Sequence, residues 1–160
     1  MKMNKKGQFY LLTALLLCAF IFVISPGLRK SSTSDNTFIE LKDNFVAESY
    51  DVINYAIYSE DDLSTTYRDY VQKFLKYSAR RNVDFGVLYI LAYDNRIEID
   101  NYLNSPVRIY HNEQMLELDH AASGIINKTY KLEIEYSQKR YKFGLNDENV
   151  QFKALFKGEK

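Results

Sequence analysis

The chain has one cysteine, two prolines, six glycines and no tryptophan in its 160 residues. A single Cys18 excludes an internal disulfide and any cysteine-built zinc site. With so few glycines there is little material for the close backbone approach that a phosphate loop requires. The patterns G-x-G-x-x-G, G-x-S-x-G and the phosphate-loop signature are all missing. No Asp or Glu occurs before Asp35, so the opening segment is short of negative charge. The 21 acidic residues all follow, and Lys2, Lys5, Lys6, Arg29 and Lys30 precede them. The segment beyond Lys30 therefore carries a net charge near −5. An acidic body of this kind is a poor match for nucleic acid.

One stretch, Gln8–Leu28, has no charge of either sign. As a helix rising 1.5 Å per residue it is about 31 Å long, close to the hydrocarbon thickness of a bilayer. Phe9, Leu11, Leu12, Leu15, Leu16, Leu17, Phe20, Ile21, Phe22, Val23 and Ile24 give it strong preference for lipid. The apolar core exceeds that of a cleaved secretory signal, and Phe22-Val23-Ile24-Ser25-Pro26 offers no small-x-small cleavage site. These features favour a retained helix over a removed one. The basic residues Lys2, Lys5 and Lys6 place the N-terminus on the cytoplasmic side, with the acidic body across the membrane.

Lys5-Lys6-Gly7-Gln8-Phe9-Tyr10, running directly into the apolar stretch, resembles the class III signal peptide of archaeal type IV pilin-like proteins. The resemblance covers about 25 residues at the N-terminus. It implies cleavage between Gly7 and Gln8 by a prepilin peptidase on the cytoplasmic side, leaving the helix in the mature chain. Many members carry glutamate at the fifth mature position, where Leu12 stands here. The resemblance thus implies a minor or pilin-like subunit rather than a major filament protein. Other pilin-like subunits, the peptidase and membrane lipids are the partners it implies. An ordinary signal anchor, in which the same residues are only a basic flank, remains the alternative.

Pro26-Gly27 ends the apolar helix, and the small polar run to Asn36 reads as a linker. Beyond it, Thr37-Phe38-Ile39-Glu40 fits a capping box. Phe38, Leu41, Phe45, Val52, Ile53, Ala56 and Ile57 then recur at three- and four-residue steps. A second helix follows Ser59-Glu60-Asp61-Asp62, with Leu63, Tyr67, Tyr70, Val71, Phe74 and Leu75 as its apolar face. After Asn82 the period shortens to two. Phe85–Tyr93 is apolar throughout, as in a strand covered on both faces. Later segments alternate apolar with charged residues, as strands with one solvated face do. They are Ile97–Asp100, Val107–Ile109, Leu116–Asp119, Lys131–Tyr136, Arg140–Leu145 and Val150–Lys157.

The expected architecture is α+β: a transmembrane helix, two amphipathic helices, then an antiparallel sheet or small sandwich of about six or seven strands. The boundaries read as a basic leader 1–8, a transmembrane helix 9–28, a linker 29–36 and an extracytoplasmic domain 37–160. Its helices fall at about 37–58 and 61–80, and its strands between about 84 and 157.

Chemistry is sparsely signalled. His111 and His120, with Glu113, Glu117 and Asp119 nearby, lack the tight spacing of a metal site. Glu60, Asp61 and Asp62 are explained by the helix start that follows. Arg80 and Arg81, with Lys73, Lys76, Tyr70 and Tyr77, read as cations at a helix C-terminus beside half-buried rings. Nothing places a catalytic constellation, a cofactor or a small-molecule site. The remaining candidates are Lys5, Lys6, Gly7 and Gln8 for signal processing, and Asn127 of Asn127-Lys128-Thr129 as a glycosylation acceptor in a loop. The expected role is a membrane-anchored structural or interaction subunit. A tethered binding module that does not assemble is the competing reading, and a tethered extracytoplasmic enzyme the remote one.

Overall fold

A computed structural model describes residues 36–146 and 149–159. The predicted leader, transmembrane helix and linker, up to residue 35, lie outside the described residues, as do Lys5, Lys6, Gly7 and Gln8. No helix among the described residues is long and apolar enough to cross a membrane. The chain divides into two compact units, Met1–Glu40 and Leu41–Lys160. Of the first, only 36–40 are described, and they are helical. Helix α1 spans 36–58, so Thr37 already lies inside it and does not cap it.

The second unit is α+β, with eight strands in two antiparallel four-stranded sheets. Helix α2 is Leu63–Arg80, and the strands are β1 Asp84–Tyr93, β2 Arg96–Tyr102, β3 Val107–His111, β4 Gln114–Leu118, β5 Ala122–Asn127, β6 Lys131–Tyr136, β7 Lys139–Gly144 and β8 Val150–Glu159. One sheet has the order β5-β2-β1-β8 and the other β4-β3-β6-β7. The strand absent from the sequence reading is β5. Its Ala-Ser-Gly start hides the alternation, and Gly124 is there for a steric reason. A Cβ on it would come within 3.0 Å of Leu116 and 3.1 Å of Leu118, so glycine lets β5 lie close to β4.

Two apolar layers hold the unit together. Between the sheets, Leu88, Ile90, Ala92, Ile97, Ile99 and Ile126 meet Val107, Ile109, Leu118, Leu132, Ile134 and Tyr136 in one buried core. On the opposite face of β1, Phe85, Val87, Tyr89, Leu91 and Tyr93 are buried against the helical layer. That accounts for the unbroken apolar run of β1: each face supports a different core. Phe45 of α1 is the hub of the second layer. Its ring lies 5.0 Å from Phe74, 5.6 Å from Phe156 and 5.8 Å from Phe85, mostly in tilted or edge-on geometry. The buried stripe of α1 from Leu41 onward is Leu41, Phe45, Ser49, Ile53 and Ala56. Ile57, expected in that stripe, is exposed, and Ser49 takes a place in it instead. Its hydroxyl donates to the Phe45 carbonyl at 2.6 Å and meets the Tyr67 hydroxyl at 2.9 Å, so a polar atom is buried at little cost.

The outer face of the second sheet keeps the expected alternation and pairs its charges across strands. Arg108 bridges Glu117 at 3.7 Å and Glu135 at 3.5 Å, and Arg140 reaches Glu135 at 3.2 Å. Lys142 lies 3.3 Å from Glu133. Each exposed pair contributes little to stability alone.

The hairpins turn without glycine. Asp94-Asn95, Asn112-Glu113 and Ser137-Gln138 each place two consecutive residues at positive φ, between 45° and 65°. This is the twist that two-residue hairpins require. Asn and Asp tolerate it; Glu113 and Gln138 do so under strain of about 1 kcal/mol or more. Replacing Glu113 or Gln138 with glycine is expected to raise stability by about 0.5–1 kcal/mol after glycine's own entropy cost. Urea denaturation checks this, and a loss of stability in both variants would contradict it.

Candidate functional site

The strongest concentration of chemistry lies where α2 crosses the polar side of β2. Alternation puts Ile97 and Ile99 in the inter-sheet core and sends Glu98, Asp100 and Tyr102 to the other face. That face was expected to meet solvent. It does not: Glu98 is 1% exposed and Asp100 0%, because α2 covers them. Ser64, Arg68 and Gln72 form a polar stripe along α2 at four-residue steps. Four helical residues advance about 6 Å and two strand residues about 6.6 Å, so the two series stay in step.

The contacts follow that register. The Ser64 hydroxyl donates to Glu98 Oε1 at 2.6 Å. Arg68 donates from Nη2 to the same oxygen and from Nε to Asp100 Oδ2 at 2.9 Å. Gln72 lies near the Tyr102 hydroxyl and partly offsets the rise that burial gives that phenol. From β1, the Tyr89 hydroxyl donates to Asp100 Oδ2 at 2.7 Å and that of Tyr93 to Glu98 Oε2 at 3.1 Å. Arg96 in turn donates to the Tyr93 hydroxyl at 2.8 Å, its guanidinium 4.5 Å from the ring centre. The Arg68 side chain is 37% exposed, so one partly wet guanidinium screens two dry carboxylates. Asp100 Oδ1 is buried with no hydrogen-bond partner.

The electrostatic consequences are one-directional. Hydrogen bonding to Asp100 raises the Arg68 pKa above its ordinary value. Burial, reinforced by the charge of Asp100, pushes the Tyr89 phenol well above its usual 10. Burial raises Tyr67, Tyr70, Tyr93 and Tyr102 in the same sense. The arrangement fixes protons in place and clamps α2 to the sheet. A signal for it existed in the sequence: a β1 covered on both faces implies cover over the neighbouring strand as well, hence over Glu98 and Asp100.

Residues singled out in the sequence are dispersed. Asp62 is the N-cap of α2, accepting from the Thr65 amide at 3.2 Å and its hydroxyl at 2.8 Å. Those bonds lower its pKa. The helix starts at Leu63, so Glu60, Asp61 and Asp62 precede its first turn. Arg80 lies in the last turn of α2, and Arg81 stacks 4.8 Å over the Tyr77 ring. His111 closes β3, whereas His120 follows β4 and donates from Nδ1 to the Leu103 carbonyl at 2.6 Å. Register puts the two histidines at opposite ends of the β3–β4 hairpin. No group of three or more His, Cys, Asp or Glu could hold a metal among the described residues. Asn127 is the exposed last residue of β5, on a strand rather than in the expected loop. On α1, Tyr50, Tyr55, Ile57 and Tyr58 are all more than half exposed, with Tyr58 at 91%. No protein-family model, curated protein or solved structure matches the chain.

Two predictions come from the seam. Arg68→Met leaves two carboxylates buried without their cation and is expected to cost about 3 kcal/mol. Adding Glu98→Gln and Asp100→Asn to that variant should recover most of the loss, because no unpaired charge is left. Urea melts of the single and triple variants check this, and equal instability of the two would refute it. The tyrosines set a second expectation. Their folded pKa values exceed the unfolded ones, so the stability they contribute is complete below pH 10 and declines above it. Alkaline unfolding should therefore coincide with the appearance of tyrosinate absorbance. Ionisation of these phenols near pH 10 with the fold intact would contradict the burial.

Proposed function

We propose that this chain is a single-pass, pilin-like surface protein with a structural and interaction role. The observation that carries the reading is the uncharged run Gln8–Leu28 placed directly after Lys5-Lys6-Gly7. Such a run partitions into the bilayer, and the basic residues ahead of it favour a cytoplasmic N-terminus. The acidic α+β body then belongs on the extracytoplasmic side. Assembly would proceed through the apolar helices. A helix leaving lipid for a bundle of similar helices exchanges one apolar environment for another, and side-chain packing decides the outcome. The exposed Tyr55, Ile57 and Tyr58 of α1 support a contact role for the body, since tyrosine combines an apolar ring with a wet hydroxyl.

Leu12, in place of a glutamate, supports a second reading: a signal-anchored binding module that stays unassembled. The mature N-terminus separates the two. Mass spectrometry of the protein from its own membranes should find Gln8 first if prepilin processing occurs. A retained Met1 supports the plain anchor, and a start beyond Ser25 defeats both. Gly7→Phe should abolish maturation, and undisturbed processing of that variant would count against the pilin-like reading.

A further inference from the structure

Four strands form the edges of the two sheets: β5, β8, β4 and β7. An uncovered edge offers unpaired backbone groups to any passing strand, and charged residues are the usual protection. β8 has Lys153 and Lys157, β4 has Glu117, and β7 has Lys139, Arg140 and Lys142. β5 reads Ala-Ser-Gly-Ile-Ile-Asn and has none. Large apolar and aromatic side chains are also exposed near it. Ile125 is 64% exposed, as is Tyr130, and Met115 of the adjoining β4 is 56% exposed. A groove of about 500 Å³ runs between these edges; Met115, Leu116, Ile125 and Ile126 share its lining with His111, Asn112, Gln114 and Asn127, and more of its surface is polar than apolar.

We propose that Asn127 carries an N-linked oligosaccharide that covers the uncharged β5 edge and the groove beside it. Asn127-Lys128-Thr129 is an acceptor sequon, and the Asn127 side chain is exposed and shares the outward side of β5 with Ile125. The donor class is a lipid phosphate- or pyrophosphate-linked oligosaccharide. The Asn127 amide nitrogen forms a bond to the sugar C1, the C1–O bond to phosphate breaks, the lipid phosphate departs with the electron pair, and the amide proton goes to a base. The carbohydrate then does for β5 what lysine does for β8: a bulky hydrated group cannot be fitted beside a second strand.

The same geometry sets the timing. The Thr129 hydroxyl, part of the sequon, is buried in the folded chain, donating to Asn112 Oδ1 at 3.2 Å and accepting from the Lys131 amide at 3.5 Å. Transfer therefore precedes closure of this corner, on the chain as it emerges across the membrane. The proposal rests on the extracytoplasmic placement of the body and is independent of filament assembly.

The experiment compares protein from its own cells with Asn127→Gln and Thr129→Ser variants, after testing body exposure by protease treatment of intact cells. The expected result is a sugar-mass excess on the tryptic fragment holding Asn127, retained in Thr129→Ser and lost in Asn127→Gln. Asn127→Gln, a substitution at an exposed position, should also self-associate more in solution. An exposed body with that fragment at its bare mass overturns this proposal alone. A protected body with the bare fragment overturns the membrane topology as well.

Discussion

A single guanidinium holding two dry carboxylates is the interaction on which the layered architecture depends. Arg68 meets Glu98 and Asp100 where α2 lies along β2, and both acids are sealed from water. Without that cation the two acids would be buried uncompensated, at a cost of about 3 kcal/mol, loosening the cover over β2 and over β1 beside it. The pair is costly in isolation, since burying charge demands near-complete hydrogen bonding. Ser64, Tyr89 and Tyr93 supply most of that, each donating to a carboxylate oxygen, and Asp100 Oδ1 alone of the four oxygens is left without a partner. The seam therefore confers position more than strength: it fixes how far along the strand the helix is seated.

Much of this was legible in the residues, for identifiable reasons. The three- and four-residue steps of α2 and the continuous apolar run of β1 are strong periodic signals, and both elements are present. The outer face of the second sheet alternates because it is wet, and it reads correctly for that reason. β2 alternates just as cleanly, yet its polar residues are buried. Local pattern reports polarity; solvation depends on what packs above, which is a tertiary fact. β5 went unread because Gly124 yields to the leucines of β4, a contact distant in sequence. Ser49 was invisible in the α1 stripe because its partner, the Tyr67 hydroxyl, lies on another helix.

The distribution of polar groups also divides the surface by character. The outer face of the second sheet satisfies its own charges through Arg108, Arg140 and their glutamates. The helical side instead presents tyrosine rings, with Tyr55 and Tyr58 largely uncovered. Glycine scarcity has its counterpart in the hairpins, where Asn, Asp, Ser, Gln and Glu adopt the left-handed backbone while no described glycine does. The glycine at 124 is used for closeness rather than for turning.

One buried amide governs the end of the sandwich where β2 leaves for β3. Asn101, fully enclosed, donates to the carbonyls of Ser105, Leu118 and Asp119 and accepts from the Leu103 amide. It ties the crossing between sheets to the corner that follows β4. The chemistry of ageing gives that side chain special weight: loss of ammonia would leave a carboxylate of nearly the same shape facing three acceptors. Attraction would become repulsion at both corners together, so one hydrolysed amide could unlatch this end of the molecule with no change in its outline.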